Sequence, residues 1–189
     1  MKKIILISIL FLTFISCKRR EDANVKNIYY KTISEDSRIL DYKVKSYHFI
    51  GDTISEKEIV LTQDKKFYFS NNLFLRKNGD LFILTKDKNT VIIEPYLTVQ
   101  KLDSCNLVKH PFGDYKICNE GREDFLNYKN CYKLDYSSVG IDGLSMTVYL
   151  DQDFTTIAQV ARLATFNKVI KIDIAEVPKD IRKKLQDKL

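Results

Sequence analysis

A chain of 189 residues, 44% of them hydrophobic, is long enough for one domain with a real core and too short to expect two. Its net charge of +6, from 31 basic and 25 acidic residues, is mild: it does not indicate nucleic acid as a partner and hints instead at anionic surfaces. The H-E-x-x-H, G-x-S-x-G, Walker and C-x-x-C patterns are absent, and with only His48 and His110 a histidine-based triad or metal centre has little to build from. The expectation is a non-enzymatic protein without a cofactor.

In chain order, Lys2 and Lys3 open a positive segment. Ile4 to Ile15 is then apolar except for Ser8 and Thr13. That fits the roughly 7–15 apolar residues of a secretory signal and falls short of the roughly 20 that cross a bilayer as a helix. Ser16-Cys17 follows, and then the charged run Lys18-Arg19-Arg20-Glu21-Asp22. This stretch resembles the signal of bacterial lipoproteins, where a small residue precedes an invariant cysteine that becomes the lipidated N-terminus after cleavage. Ser16 fits the small position, and Phe14 stands where the family most often has Leu. The resemblance implies a signal peptide over 1–16 and lipidation at Cys17. It also implies membrane attachment through the lipid and, because Lys18 rather than Asp follows the cysteine, placement at the outer membrane. Two or more acyl chains anchor stably where one does not. Residues 17–27 read as a polar tether, and 28–189 as a single β-rich domain.

From Asn27 onward the pattern is β. Leu40, Tyr42 and Val44 alternate with Asp41, Lys43 and Lys45, the period of a half-buried strand. Gly51-Asp52 breaks it, and Ile59 to Leu61 forms the next short strand. Ser55-x-x-Glu58 reads as a hairpin loop or a capping box. Asn78-Gly79, set between apolar runs, predicts a two-residue hairpin turn. Its register sets Lys77 against Asp80, Arg76 against Leu81, Leu75 against Phe82, Phe74 against Ile83 and Leu73 against Leu84. A turn at Asp87-Lys88-Asn89 leads to Val91–Ile93, which Pro95 ends or places at an edge.

Residues 103–130 are less regular. Strands return at Cys131–Tyr136, Leu144–Leu150 and Val169–Ile174, with Asp142-Gly143 as another hairpin candidate. Residues 156–164 suit a helix or a strand equally. Asp151-x-Asp153 reads as a turn, with Ca²⁺ ligation as the alternative. Pro178 is placed to be a first helical residue, and Ile181, Leu185 and Leu189 form an apolar stripe behind it. The fold class is therefore mostly β, an antiparallel and curved sheet with one or two helices, the C-terminal one packed on it.

Cys105, Cys118 and Cys131 lie thirteen residues apart each time. One disulfide, no disulfide, or a metal site with His110 are the alternatives; Cys118–Cys131 is the favoured pair.

The hairpin register leaves Phe74, Leu81 and Ile83 on one face and Leu73, Leu75, Phe82 and Leu84 on the other. Both faces are apolar, so both need cover. Either the C-terminal helix covers Phe74, Leu81 and Ile83, which is the favoured arrangement, or they line a surface for an apolar ligand. The sheet region resembles the Lol-type lipoprotein carriers, whose curved antiparallel sheet shelters acyl chains. The expected function is a membrane-anchored binding module for an apolar ligand or an envelope protein. The alternative is an immunity lipoprotein that blocks an exported toxin.

Overall fold

The Asn78-Gly79 turn carries positive φ at both residues, 54° and 85°, as a two-residue hairpin turn requires. The strands on either side then pair Lys77 with Asp80, Arg76 with Leu81, Leu75 with Phe82 and Phe74 with Ile83. Ten further strand pairings build the rest of the sheet on the same antiparallel plan. The computed structural model describes residues 24–87, 90–99, 101–108, 114–139, 145–162 and 166–189. The leader, Cys17, Lys88-Asn89, His110 and Asp142-Gly143 lie outside the described residues.

The strands are β1 (Asn24–Ser34), β2 (Ile39–Ile50), β3 (Thr53–Thr62), β4 (Phe67–Lys77), β5 (Asp80–Asp87) and β6 (Thr90–Leu97). They continue with β7 (Cys105–Val108), β8 (Tyr115–Phe125), β9 (Tyr128–Ser138), β10 (Ser145–Leu150), β11 (Thr156–Arg162) and β12 (Phe166–Ile172). A 3₁₀ turn (Ile174–Glu176) and one helix, α1 (Lys179–Gln186), complete the described chain. The strand order is β6-β5-β4-β3-β2-β1-β12-β11-β10-β9-β8-β7. Every strand pairs with its chain neighbour, except that β1 also joins β12 and β6 does not pair with β7. The result is a nearly closed, barrel-like sheet. Pro95 sits on edge strand β6, opposite Phe82 of β5, and edge strands are where proline is tolerated in a sheet.

Three readings of the sequence are corrected, and one that it left open is decided. The tether does not extend to residue 27, because Asn24 to Asn27 already pair with Phe49 to Ser46 of β2. Ser55 to Glu58 is neither loop nor capping box but the middle of β3, opposite His48 to Lys45. Residues 156–162 are a strand, since both β10 and β12 offer it a ladder that outweighs its helix-favouring composition. Pro178 caps α1 and does not open it.

The inner core takes side chains from nearly every strand, among them Tyr30, Tyr47, Ile54, Leu97, Leu134 and Val148. Outside, Val177 and Leu185 of the C-terminal segment pack on Tyr29, Val44, Ile59, Leu61 and Ile172. Leu185 is fully buried there, and the helix lies on β2 and β3. The expected cover of Phe74, Leu81 and Ile83 by this helix is therefore overturned. Those three face inward, and α1 covers the opposite side of neighbouring strands. Its apolar stripe packs on the outer apolar surface of Val44, Ile59 and Leu61. A second outer cluster joins Cys131, Tyr149, Ile157 and Ala158.

Candidate functional site

Strands β2 and β3 alternate, but the apolar residues point out and the charged ones point in. Val44, Ile59 and Leu61 lie under the helix. On the other face Lys45 stands directly opposite Glu58, and Tyr47 opposite Glu56. Lys45 Nζ lies 3.1 Å from Glu56 Oε2 and 3.1 Å from Glu58 Oε2. It also donates to Thr156 Oγ1 at 3.4 Å, across the interior on β11. Asn72 Nδ2 on β4 donates to Glu56 Oε1 at 2.9 Å. Tyr47 donates its hydroxyl to Thr156 Oγ1 and accepts the Thr156 amide, at 3.2 Å and 3.1 Å. Tyr30 donates to the Thr156 carbonyl at 2.7 Å.

Burial by itself pulls an ammonium down and pushes a carboxyl up. At Lys45 the charges of Glu56 and Glu58 outweigh burial and hold the ammonium well above its usual value. At Glu56 burial is likewise outweighed, by Lys45 and by the bond from Asn72, so its carboxyl is held low. Both groups are therefore ionised at neutral pH inside the sheet. Burial, reinforced by neighbouring groups, raises Tyr30 and Tyr136 well above the ordinary phenol range; it also raises Tyr47, there outweighing opposing bonds. Exposure of the side chains climbs along β2, from 5% at Lys45 to 12% at Lys43 and 17% at Asp41. The polar track thus leads from the centre toward the end of the sheet that carries the β1–β2 turn.

A cavity of about 170 Å³ adjoins these groups. Lys45, Glu56, Glu58, Asn72, Thr156 and Gln159 supply its polar wall, and Phe74, Leu81, Met146, Val148, Leu150 and Phe154 its apolar one. A second cavity of about 210 Å³ is lined by Ile83, Val108, Tyr115 and Ile117. The two share Asn72, Phe74, Tyr96, Tyr136 and Met146. Within that partition the hydroxyls of Tyr96 and Tyr136 are hydrogen-bonded, and the Phe74 ring meets Tyr96 edge-on at 5.1 Å. Together the lobes fall at the lower end of the roughly 300–1,000 Å³ usual for ligand pockets, which are mostly apolar with a few polar groups. A wider groove of about 910 Å³ lies outside, but exposed residues such as Leu126, Asn127 and Ile174 form much of it.

Phe74, Leu81 and Ile83 all line these inner cavities, with Phe74 in both. Their polar neighbours Lys45, Glu56 and Glu58 were missed. Gly51-Asp52 was the available signal: a tight turn there sets β2 charges opposite β3 charges of the other sign.

The favoured disulfide is also corrected. Cys118 is bonded to Cys105, its direct partner in the β7–β8 ladder, with Cα atoms 4.0 Å apart. Cys131 stands opposite Glu123 on β9 and is free and buried. Among the described residues no group of three or more His, Cys, Asp or Glu side chains is disposed to hold a metal ion. Asp151 forms a turn, accepting from the amides of Asp153 at 3.0 Å and Thr155 at 2.8 Å, and pairs with Lys26 at 3.2 Å.

Comparison with protein-family models, with curated proteins and with solved structures found no match. The geometry of the interior is what the functional reading rests on.

Proposed function

We propose that this chain is a binding module that houses a small apolar or amphiphilic ligand inside its sheet and is held at the cell envelope by a lipid on Cys17. The carrying observation is the pair of adjoining inner cavities, walled by Phe74, Leu81 and Ile83 and partitioned by Tyr96 and Tyr136. Concave, largely apolar sites with a few convergent polar groups are the usual form of small-molecule sites. The outer apolar face of β2 and β3 is already covered by α1, whereas the inner cavities are not filled by any described element.

The anchor is tested by Cys17→Ala, which is expected to abolish fatty-acid labelling; label retained in the variant removes the anchor from the proposal. The cavity is tested by titrating the mature protein with an apolar fluorescent probe, and by Val148→Trp, which places bulk in the first cavity. Binding by the native protein and its loss in a folded Val148→Trp variant are expected. A folded native protein that takes up no apolar probe refutes the reading.

A further inference from the structure

We infer that the ligand of this cavity is an amphiphile with a protonated amine as its head, set against Glu58 and Gln159, and with its hydrocarbon chain in the lobe beyond Tyr96 and Tyr136. The inference rests on the proposal that the cavity holds a ligand, and it names the class.

The donors and acceptors of the polar wall are unevenly used. An ammonium has three N–H donors; Lys45 donates to Glu56 and Thr156 and forms an ion pair with Glu58 at 3.1 Å. Lys45, the cation that lines the cavity, is thus already held by its own partners and not by a carboxylate head. Glu56 is also engaged at both oxygens, by Lys45 and by Asn72. Glu58 is different. Its Oε2 takes Lys45, but its Oε1 has only Lys43, at 3.9 Å, beyond hydrogen-bond reach. Gln159 lines the same cavity and hydrogen-bonds to no described residue, so its amide oxygen is a second open acceptor.

Charge points the same way. Lys45 neutralises one of Glu56 and Glu58, and Lys43 with Asp41 adds a cancelling pair, so the wall keeps one negative charge. In a poorly solvated interior that charge favours a cation and opposes an anion. A protonated amine satisfies both open acceptors and balances the wall. Its chain then meets Phe74 and Met146 and reaches Ile83, Val108 and Ile117 in the second lobe. The exposure gradient from Lys45 to Asp41 gives the head a polar route inward.

The test is calorimetric titration of the mature protein with octylammonium, octanoate and octanol, three heads on one chain. Octylammonium is expected to bind one-to-one, about tenfold or more tighter than octanoate. Glu58→Gln, in a variant shown to be folded, is expected to erase that preference while octanol binding stays as it was. Gln159→Lys, which places a cation at the second acceptor, is expected to reverse the preference and serves if Glu58→Gln fails to fold. Octanoate or octanol binding as tightly as octylammonium overturns the amine assignment and leaves the cavity reading standing. A preference that survives both variants does the same. Failure of all three compounds to bind overturns both.

Discussion

Replacing Lys45 by Met tests whether the interior charges are as interdependent as their geometry implies. Lys45 is 5% exposed, and its partners Glu56 and Glu58 are 7% and 18% exposed. Met fills similar volume, so the loss is electrostatic rather than a cavity. Removing one partner of a buried ion pair strands the other and costs about 3–5 kcal/mol. For a chain of this size that corresponds to a fall in melting temperature of about 6–20 °C. The pH dependence is the sharper test. In the native protein Glu56 is held below its unfolded value, because Lys45 and Asn72 outweigh burial. Its contribution is present above the unfolded value, about 4.3, and is lost as pH falls through the folded one. Without Lys45, burial has no opposing charge and Glu56 rises above its unfolded value. The variant then loses stability as pH rises through the range above about 4.3. The two stability curves must therefore diverge from about pH 4 upward and converge below it. Urea unfolding followed by circular dichroism, with an unchanged slope, measures the gap. A loss under about 1 kcal/mol at pH 7, or a gap of equal size at pH 4, refutes the argument.

Leu185→Ala should cost about 2–5 kcal/mol in urea unfolding, and deleting residues 178–189 should raise apolar-dye binding by uncovering Val44, Ile59 and Leu61. Peptide mapping without reduction should find Cys105 joined to Cys118, and the double Ser variant should lose about 3 kcal/mol as a short loop is freed. Cys131, whose thiol burial pushes up, should react with an alkylating reagent only after unfolding. At high pH, Tyr30, Tyr47 and Tyr136 stay protonated in the native state and Tyr96 is pushed up to about 12 by burial. The native protein then holds protons that the unfolded chain releases above about pH 10, so stability falls as pH rises past that point. Lys45, raised by Glu56 and Glu58 against burial, acts in the same direction. Tyrosinate absorbance should show these four phenols appearing only with unfolding; titration of all eleven tyrosines in a folded protein contradicts it.

Local chemistry was legible where one residue type leaves few options. Asn78-Gly79 fixed a turn, and the turn fixed four cross-strand pairs. Pro95 marked an edge. Alternation along Leu40–Lys45 separated two faces, but nothing in it says which face is inside; both are covered, and the charged one is the inner. The cysteines are equally spaced, so spacing could not choose between pairings. The choice is made by the β7–β8 hairpin, and β8 is hard to read as a strand because it is polar, bulged and turned at Gly121, whose φ is +92°. The stripe Ile181, Leu185 and Leu189 announced a packed helix without naming its partner. Only Leu185 became fully buried, while Leu189 is 41% exposed.

The inversion of β2 and β3 ties the fold to the site. An apolar outer surface over Tyr29, Val44, Ile59 and Leu61 is stable only if something covers it, and Val177 with Leu185 does so. Because side chains alternate, the same strands then commit their polar set to the interior. Charges sent inward need partners there, and Lys45 lies within 3.1 Å of both Glu56 and Glu58. The strands farther round the sheet, β4, β5, β9 and β10, instead send Phe74, Leu81, Leu134 and Val148 inward. The cavity sits where these two kinds of wall meet. Apolar residues of equal volume at the three charged positions would often serve stability as well or better. The proposed amphiphilic occupant accounts for a charged wall facing an apolar one, an arrangement that the needs of folding do not require.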